Sequence, residues 1–254
     1  MSLDRETLPD RRTVGVALAA LFLVVAVVAG GAGLYFAVGL GPDEAAVSAV
    51  ESSEDVTVER LDGATVVRSG SVTAETTGLI YYPGGRVNHE SYVPTAAETV
   101  AGRNVAVVIV DMPLNLAVLG SNRADGAREA FPAIESWAVG GHSLGGAMAC
   151  RYAADNTDEL NGLVLHASYC DRDVSESGLR VLSVLGTADG VLDTERERES
   201  RKNLPPDARV VELDGVNHAG FGAYGPQRGD LPVTTEPAAM RERVGNATGA
   251  WLAG

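Results

Sequence analysis

Lysine is almost missing from this 254-residue chain. Of its 20 basic residues only Lys202 is a lysine, set against 34 acidic residues and a net charge of −14. A surface this acidic offers no phosphate-binding stripe and argues against general nucleic-acid binding. Cysteine is equally scarce. Cys150 and Cys170 cannot build a disulfide framework, and two free thiols are the simpler reading. Histidine occurs four times, with no His or Cys pair at metal-ligand spacing, so neither a metal nor a cofactor is expected. What is plentiful is apolar material: 45% hydrophobic and 21% charged residues exclude a disordered chain. The length suits one domain of about 200 residues plus an attachment.

That attachment is the run from Thr13 to Leu40, which contains no charged residue. As a helix it would reach roughly 42 Å, more than the about 30 Å of bilayer hydrocarbon. A retained transmembrane anchor over 13–40 is therefore expected. A cleaved signal peptide is the alternative, although its apolar region is normally about 7–15 residues. Arg5, Arg11 and Arg12 precede the run, and Asp43, Glu44, Glu51 and Glu54 follow it. The positive-inside rule then puts residues 1–12 in the cytoplasm and everything after the anchor outside, or secreted if cleavage occurs. Residues 1–40 are charge-neutral, so the whole −14 belongs to 41–254. Such acidity with almost no lysine resembles proteins of salt-loving microbes, where salt screens the repulsion. Residues 41–53 are expected as an acidic stalk, and Asn246-Ala-Thr248 is a short glycosylation sequon.

Beyond the stalk, short apolar runs alternate with helical windows. Val56–Glu59 and Ala64–Arg68 flank Asp62-Gly63 as a hairpin. Leu79–Tyr82, Val105–Val110, Trp137–Gly140, Leu163–His166, Val181–Leu185 and Arg209–Leu213 read as strands. Helices are expected over Tyr92–Ala101, Asn122–Ala130, Leu144–Ala154, Leu192–Arg201 and Glu236–Leu252. This alternation indicates one layered α/β domain over 54–254, with a mostly parallel sheet.

The chemistry-bearing motif is Gly141-His142-Ser143-Leu144-Gly145, between a strand and a helix. A nucleophile on so sharp a turn needs small neighbours, and the following helix turns its N-terminus toward developing negative charge. Ser143 requires a base. His142 adjoins it and points away, His166 closes an apolar strand, and His89 lies in a polar loop. His218, in the late loop Val216-Asn217-His218-Ala219-Gly220, is the candidate base. Asp189, after the strand ending in Leu185-Gly186, is the orienting acid. Asp193 and Asp214 are the alternatives. The order Ser, Asp, His is that of a hydrolase triad. The amide of Leu144 and that of Gly85 or Arg86, in Pro83-Gly84-Gly85-Arg86, are the candidate oxyanion donors. Met112, Leu114, Phe221 and Tyr224 are candidates for the walls of a substrate pocket.

Residues 77–252 resemble the α/β-hydrolase superfamily, and within it the small, cap-poor fold-5 group that borders the dienelactone-hydrolase-like enzymes. The resemblance rests on YYPGG (Tyr81–Gly85), GHSLGG (Gly141–Gly146), LGTADG (Leu185–Gly190), NHAGFG (Asn217–Gly222) and YGPQRGD (Tyr224–Asp230). Many relatives have His-Gly where this chain has Tyr-Pro-Gly-Gly. The resemblance implies a central parallel sheet with helices on both faces. It also implies a carboxylesterase-like serine hydrolase acting on a compact ester or lactone without cofactor. A thioesterase or peptidase with the same triad, or a membrane-tethered binding module on the same scaffold, are the competing readings.

Overall fold

A computed structural model of the chain describes residues 38–254. The expected anchor therefore lies outside the described residues up to position 37. Among the described residues no helix is long and apolar enough to cross a membrane. The last residues of the 13–40 run are not membrane helix. Leu40 forms a parallel bridge with Val87, its N–H donating to Arg86 O at 2.6 Å and its O accepting from Asn88 N at 2.9 Å.

The stretch expected as a stalk is also folded onto the domain. It contains helix α1, Glu44–Glu51, whose N-terminus is capped by the Asp43 carboxylate on the amides of Ala45 and Ala46. Val47 is its buried residue, and Asp43 N donates to Ala223 O.

Eight strands form one sheet: β1 (Thr57–Leu61), β2 (Ala64–Arg68), β3 (Thr77–Tyr82), β4 (Val105–Val110), β5 (Ser136–His142), β6 (Gly162–His166), β7 (Arg180–Gly186) and β8 (Arg209–Leu213), in the order β1-β2-β4-β3-β5-β6-β7-β8. The hairpin β1–β2 joins antiparallel to β4, and all other pairings are parallel. The central strand β4 shows why its sequence is apolar throughout. Successive side chains of a strand alternate faces, and here both faces are covered. Val105, Val107 and Ile109 enter one core, while Ala106, Val108 and Val110 enter the other.

The first of those cores packs against α1, α2 (Val93–Val100) and α6 (Pro237–Leu252), and the second against α3 (Arg123–Ala130) and α4 (Leu144–Asp155). Helix α5, Thr194–Ser200, follows β7. Asn246 lies within α6, its Oδ1 accepting from Arg103.

The cysteines correct the expectation of free thiols: Cys150 and Cys170 are disulfide-bonded and fully buried. The cause is close packing between α4 and the loop leaving β6, which brings the two Cα atoms to 5.4 Å. The sequence separation of 20 residues concealed that approach.

Candidate active site

The parallel strands all end at one edge, where the candidate residues lie. β5 ends in His142, and Ser143 makes the turn into α4 with φ 53° and ψ −121°. A serine held at positive φ costs about 1–3 kcal/mol, which the surroundings must overcome. They do so by crowding. A Cβ on Gly145 would collide with the carbonyl oxygens of Tyr82 and Pro83, and one on Gly141 would lie 2.6 Å from Tyr82 O. The turn is further held by Ser143 N donating to His166 O at 2.9 Å and by Ser168 Oγ donating to Ser143 O at 2.7 Å. Four other non-glycine residues of the described chain have positive φ: Arg86, Leu114, Asn115 and Ala167. All of them lie in loops at this same edge, after β3, β4 and β6.

Asp189 and His218 meet at this edge. His218 Nδ1 is 2.8 Å from Asp189 Oδ2, and both side chains are almost fully buried. The other oxygen of Asp189 accepts from the amides of Val191 and Leu192. Burial pushes the Asp189 carboxyl up. The hydrogen bond and charge of His218, with those two amides, pull it further down, and it lies below its ordinary value. Asp193 instead caps α5, and Asp214 accepts from Thr187, so neither alternative meets the imidazole.

His218 Nε2 is buried and makes no hydrogen bond among the described residues. That nitrogen is the one a base must keep available. No hydrogen bond joins it to Ser143 Oγ here; catalytic contacts of this kind commonly tighten only around bound substrate. The two loops are nevertheless neighbours, because the ring of His142, beside Ser143, lies 4.4 Å from the ring of His218.

His166 and His142 are buried and neutral. His166 is held between Tyr81 Oη and Thr248 Oγ1, and burial lowers it to about 3. His142 is also lowered strongly, first by burial and then by its histidine neighbours His218 and His166.

Two expectations change. The N–H of Arg86 donates to Asn115 O at 2.8 Å, which removes it as an oxyanion donor. The Gly85 amide has no hydrogen-bond acceptor among the described residues, and a Cβ on Gly85 would lie 3.1 Å from the Leu144 side chain. Gly85 thus lies beside the Leu144 side chain. Phe221 and Tyr224 are core residues rather than pocket walls. Phe221 has no exposed surface and stacks on His142 at 5.4 Å, and buried Tyr224 donates toward His218 O. Met112 is buried too, whereas Leu114 is 44% exposed.

Three positioning residues escaped the sequence reading. Tyr92 Oη accepts from Gly84 N and lies 2.9 Å from His142 Nδ1, tying the turn after β3 to the strand that leads into Ser143. Asp230 holds the base loop, accepting from His218 N at 2.8 Å and Ala219 N at 2.7 Å. Ser168 braces the serine turn from the next strand. Only Asp230 carried a signal, as the last residue of YGPQRGD.

A parallel sheet sandwiched by helices, with a strained serine and a buried Asp–His pair at one edge, defines the α/β-hydrolase class. The family model described as "Alpha/beta hydrolase family" matches residues 78–242, and the chain belongs to that family. No curated protein sequence matches it. Among solved structures it is similar to a bacterial heroin esterase, with TM-score 0.57 and 14% identity over 83% of this chain and 90% of that one. Carboxyl esterase 2 from the fungus Tuber melanosporum gives 0.55 and 12% over 79% and 87%. The esterase domain of a Rhodothermus marinus protein gives 0.54 and 15% over 74% and 90%. Identities this low speak for the fold alone.

Proposed function

We propose that the chain is a serine hydrolase that cleaves a compact carboxylic ester or lactone by acyl transfer to water. The carrying observation is the buried Asp189–His218 pair with a free Nε2, at the same sheet edge as Ser143 on its strained turn. In this reading Ser143 Oγ attacks the carbonyl carbon and His218 Nε2 takes its proton. The amides of Leu144 and Gly85 donate to the oxygen that becomes negative. His218 then protonates the leaving alcohol, and later takes a proton from the water that releases the acid. Asp189 keeps Nδ1–H oriented and stabilises the imidazolium throughout.

Residues 13–37 are proposed as the membrane anchor, with the domain outside. The buried Cys150–Cys170 disulfide supports that placement, because such bonds persist in oxidising compartments. The strong acidity is proposed as an adaptation to high salt.

A fluorophosphonate probe should label the chain at Ser143, and Ser143→Ala should lose both labelling and turnover. Labelling unchanged in the variant would reject the nucleophile. A panel of p-nitrophenyl esters, a thioester and an amide, measured over a salt series, assigns the acyl bond. A folded protein that turns over none of them is a binding module.

A further inference from the structure

Large apolar side chains exposed on this domain are not scattered. Leu61 sits at the β1–β2 turn, where Leu61 pairs with Ala64 and Ala64 with Val110, at the end of β4. Leu114, Val118 and Leu119 follow β4 itself, 44%, 48% and 53% exposed. Val191 follows β7 and Leu231 follows β8, and the two loops touch through Gly190 and Gly229. Val38, 65% exposed, precedes the Leu40–Val87 bridge after β3. These are all the exposed large apolar residues among the described ones, and the six from Leu61 to Leu231 lie at the edge that carries Ser143.

Strand order places them on both sides of the serine. β4 and β3 lie to one side of β5, and β7 and β8 to the other. At about 4.8 Å between strands, the rim from β1 to β8 stretches over roughly 34 Å. Exposed apolar residues gathered at one edge, rather than spread over the surface, suit that edge to an apolar partner.

The chain itself indicates the occupant. The apolar run 13–37 leads directly to Val38, and Leu40 is already bonded to Arg86 and Asn88, beside the oxyanion turn. The residues after Leu40 are pinned to the domain by Asp43 on Ala223 and by α1. In the anchor reading the chain enters the domain at this edge.

We propose that the rim formed by Leu114, Val118, Leu119, Val191 and Leu231 rests on the lipid bilayer, and that the ester enters the serine site from the lipid phase. This rests on the anchor and hydrolase readings above. The substrate class it implies is a compact acyl group carried on a lipid-soluble alcohol, small at the serine and apolar along the rim. The domain's net charge of −14 favours a neutral over an anionic lipid surface.

The test uses the full chain in phosphatidylcholine vesicles containing spin-labelled lipid. The native cysteines are paired, so Val118→Cys, Val191→Cys and, at the opposite edge, Asp207→Cys each supply one site for a bimane label. Quenching several-fold stronger at 118 and 191 than at 207 is expected. Equal quenching in protein that floats with the vesicles overturns the facing and leaves the anchor standing. Protein that does not float overturns the anchor, and this inference with it. A Val118→Asp/Leu119→Asp double variant should hydrolyse vesicle-borne hexadecyl acetate several-fold more slowly, with aqueous p-nitrophenyl acetate turnover unchanged. Equal change on both substrates, or aqueous turnover with none of hexadecyl acetate, overturns entry from lipid. Turnover of neither by folded wild-type protein rejects the hydrolase reading instead, while the quenching pattern still reports the facing.

Discussion

Asp189 is where a single atom decides most. Its Oδ2 meets His218 Nδ1, and its Oδ1 is occupied by two amides. Asp189→Asn retains one acceptor and the shape, yet offers an N–H or a neutral oxygen where the imidazolium needs a carboxylate. The expected loss is about 10⁴-fold in kcat on p-nitrophenyl acetate, with the melting temperature little changed. A loss under tenfold in folded protein would assign the orienting role elsewhere. The Asp189–His218 pairing was legible because each residue follows a strand and the order Ser, Asp, His is restrictive. The pocket residues were not. Phe221 and Tyr224 stand in a glycine-rich loop, which suggests exposure, but that loop folds its aromatic rings under His142 and His218. Asp230 was one acid among 34. Its two accepted amides exist only after the chain has returned 12 residues later to the base loop.

The serine turn shows what the element between strand and helix must satisfy. Gly145 lies against the carbonyl oxygens of Tyr82 and Pro83, and neither backbone segment can yield, because β3 is paired on both sides. Gly145→Ala should therefore destabilise the domain by about 1–3 kcal/mol and shift Ser143, read as a lower urea midpoint together with lost probe labelling. Unchanged midpoint and labelling would show that the turn has room to spare. Helix α4 is fixed at a second point by Cys150–Cys170, which closes a loop of 20 residues. Replacing both cysteines by alanine should cost about 3 kcal/mol, and the reduced wild-type protein should lose a similar amount. Element positions from β1 to α6 were legible in the sequence because fully apolar or periodic runs leave few alternatives. Helix α1 was missed for the opposite reason. It buries Val47 alone, and its acidic, small residues resemble a linker until Asp43 is seen to cap them.

At the scale of the whole molecule, the domain encloses two histidine rings as neutral groups between its layers. His166 is lowered to about 3 by burial, and His142 is lowered strongly by burial and by its histidine neighbours. His89 moves the same way, its burial outweighing the attraction of Asp111. Unfolded, each would titrate near about 6.5. Below that pH the unfolded chain binds protons that the folded chain refuses, so folding stability falls as pH falls. For His142 and His166 the slope approaches about 1.4 kcal/mol per pH unit each. Asp189, held below its ordinary value, contributes stability that disappears only in the carboxylate range, beneath this window. Urea unfolding between pH 6.5 and 5 should thus show a steep loss, with His142 and His166 together giving nearly 3 kcal/mol per unit. His166→Gln, which can still bond Tyr81 or Thr248, should reduce that slope by about half even though it lowers stability at pH 7. A flat profile in the wild type would mean that the rings exchange protons with solvent in the folded state. The layers over the site would then not exclude water, and the dry environment in which the Leu144 and Gly85 amides could stabilise an oxyanion would be lost with them.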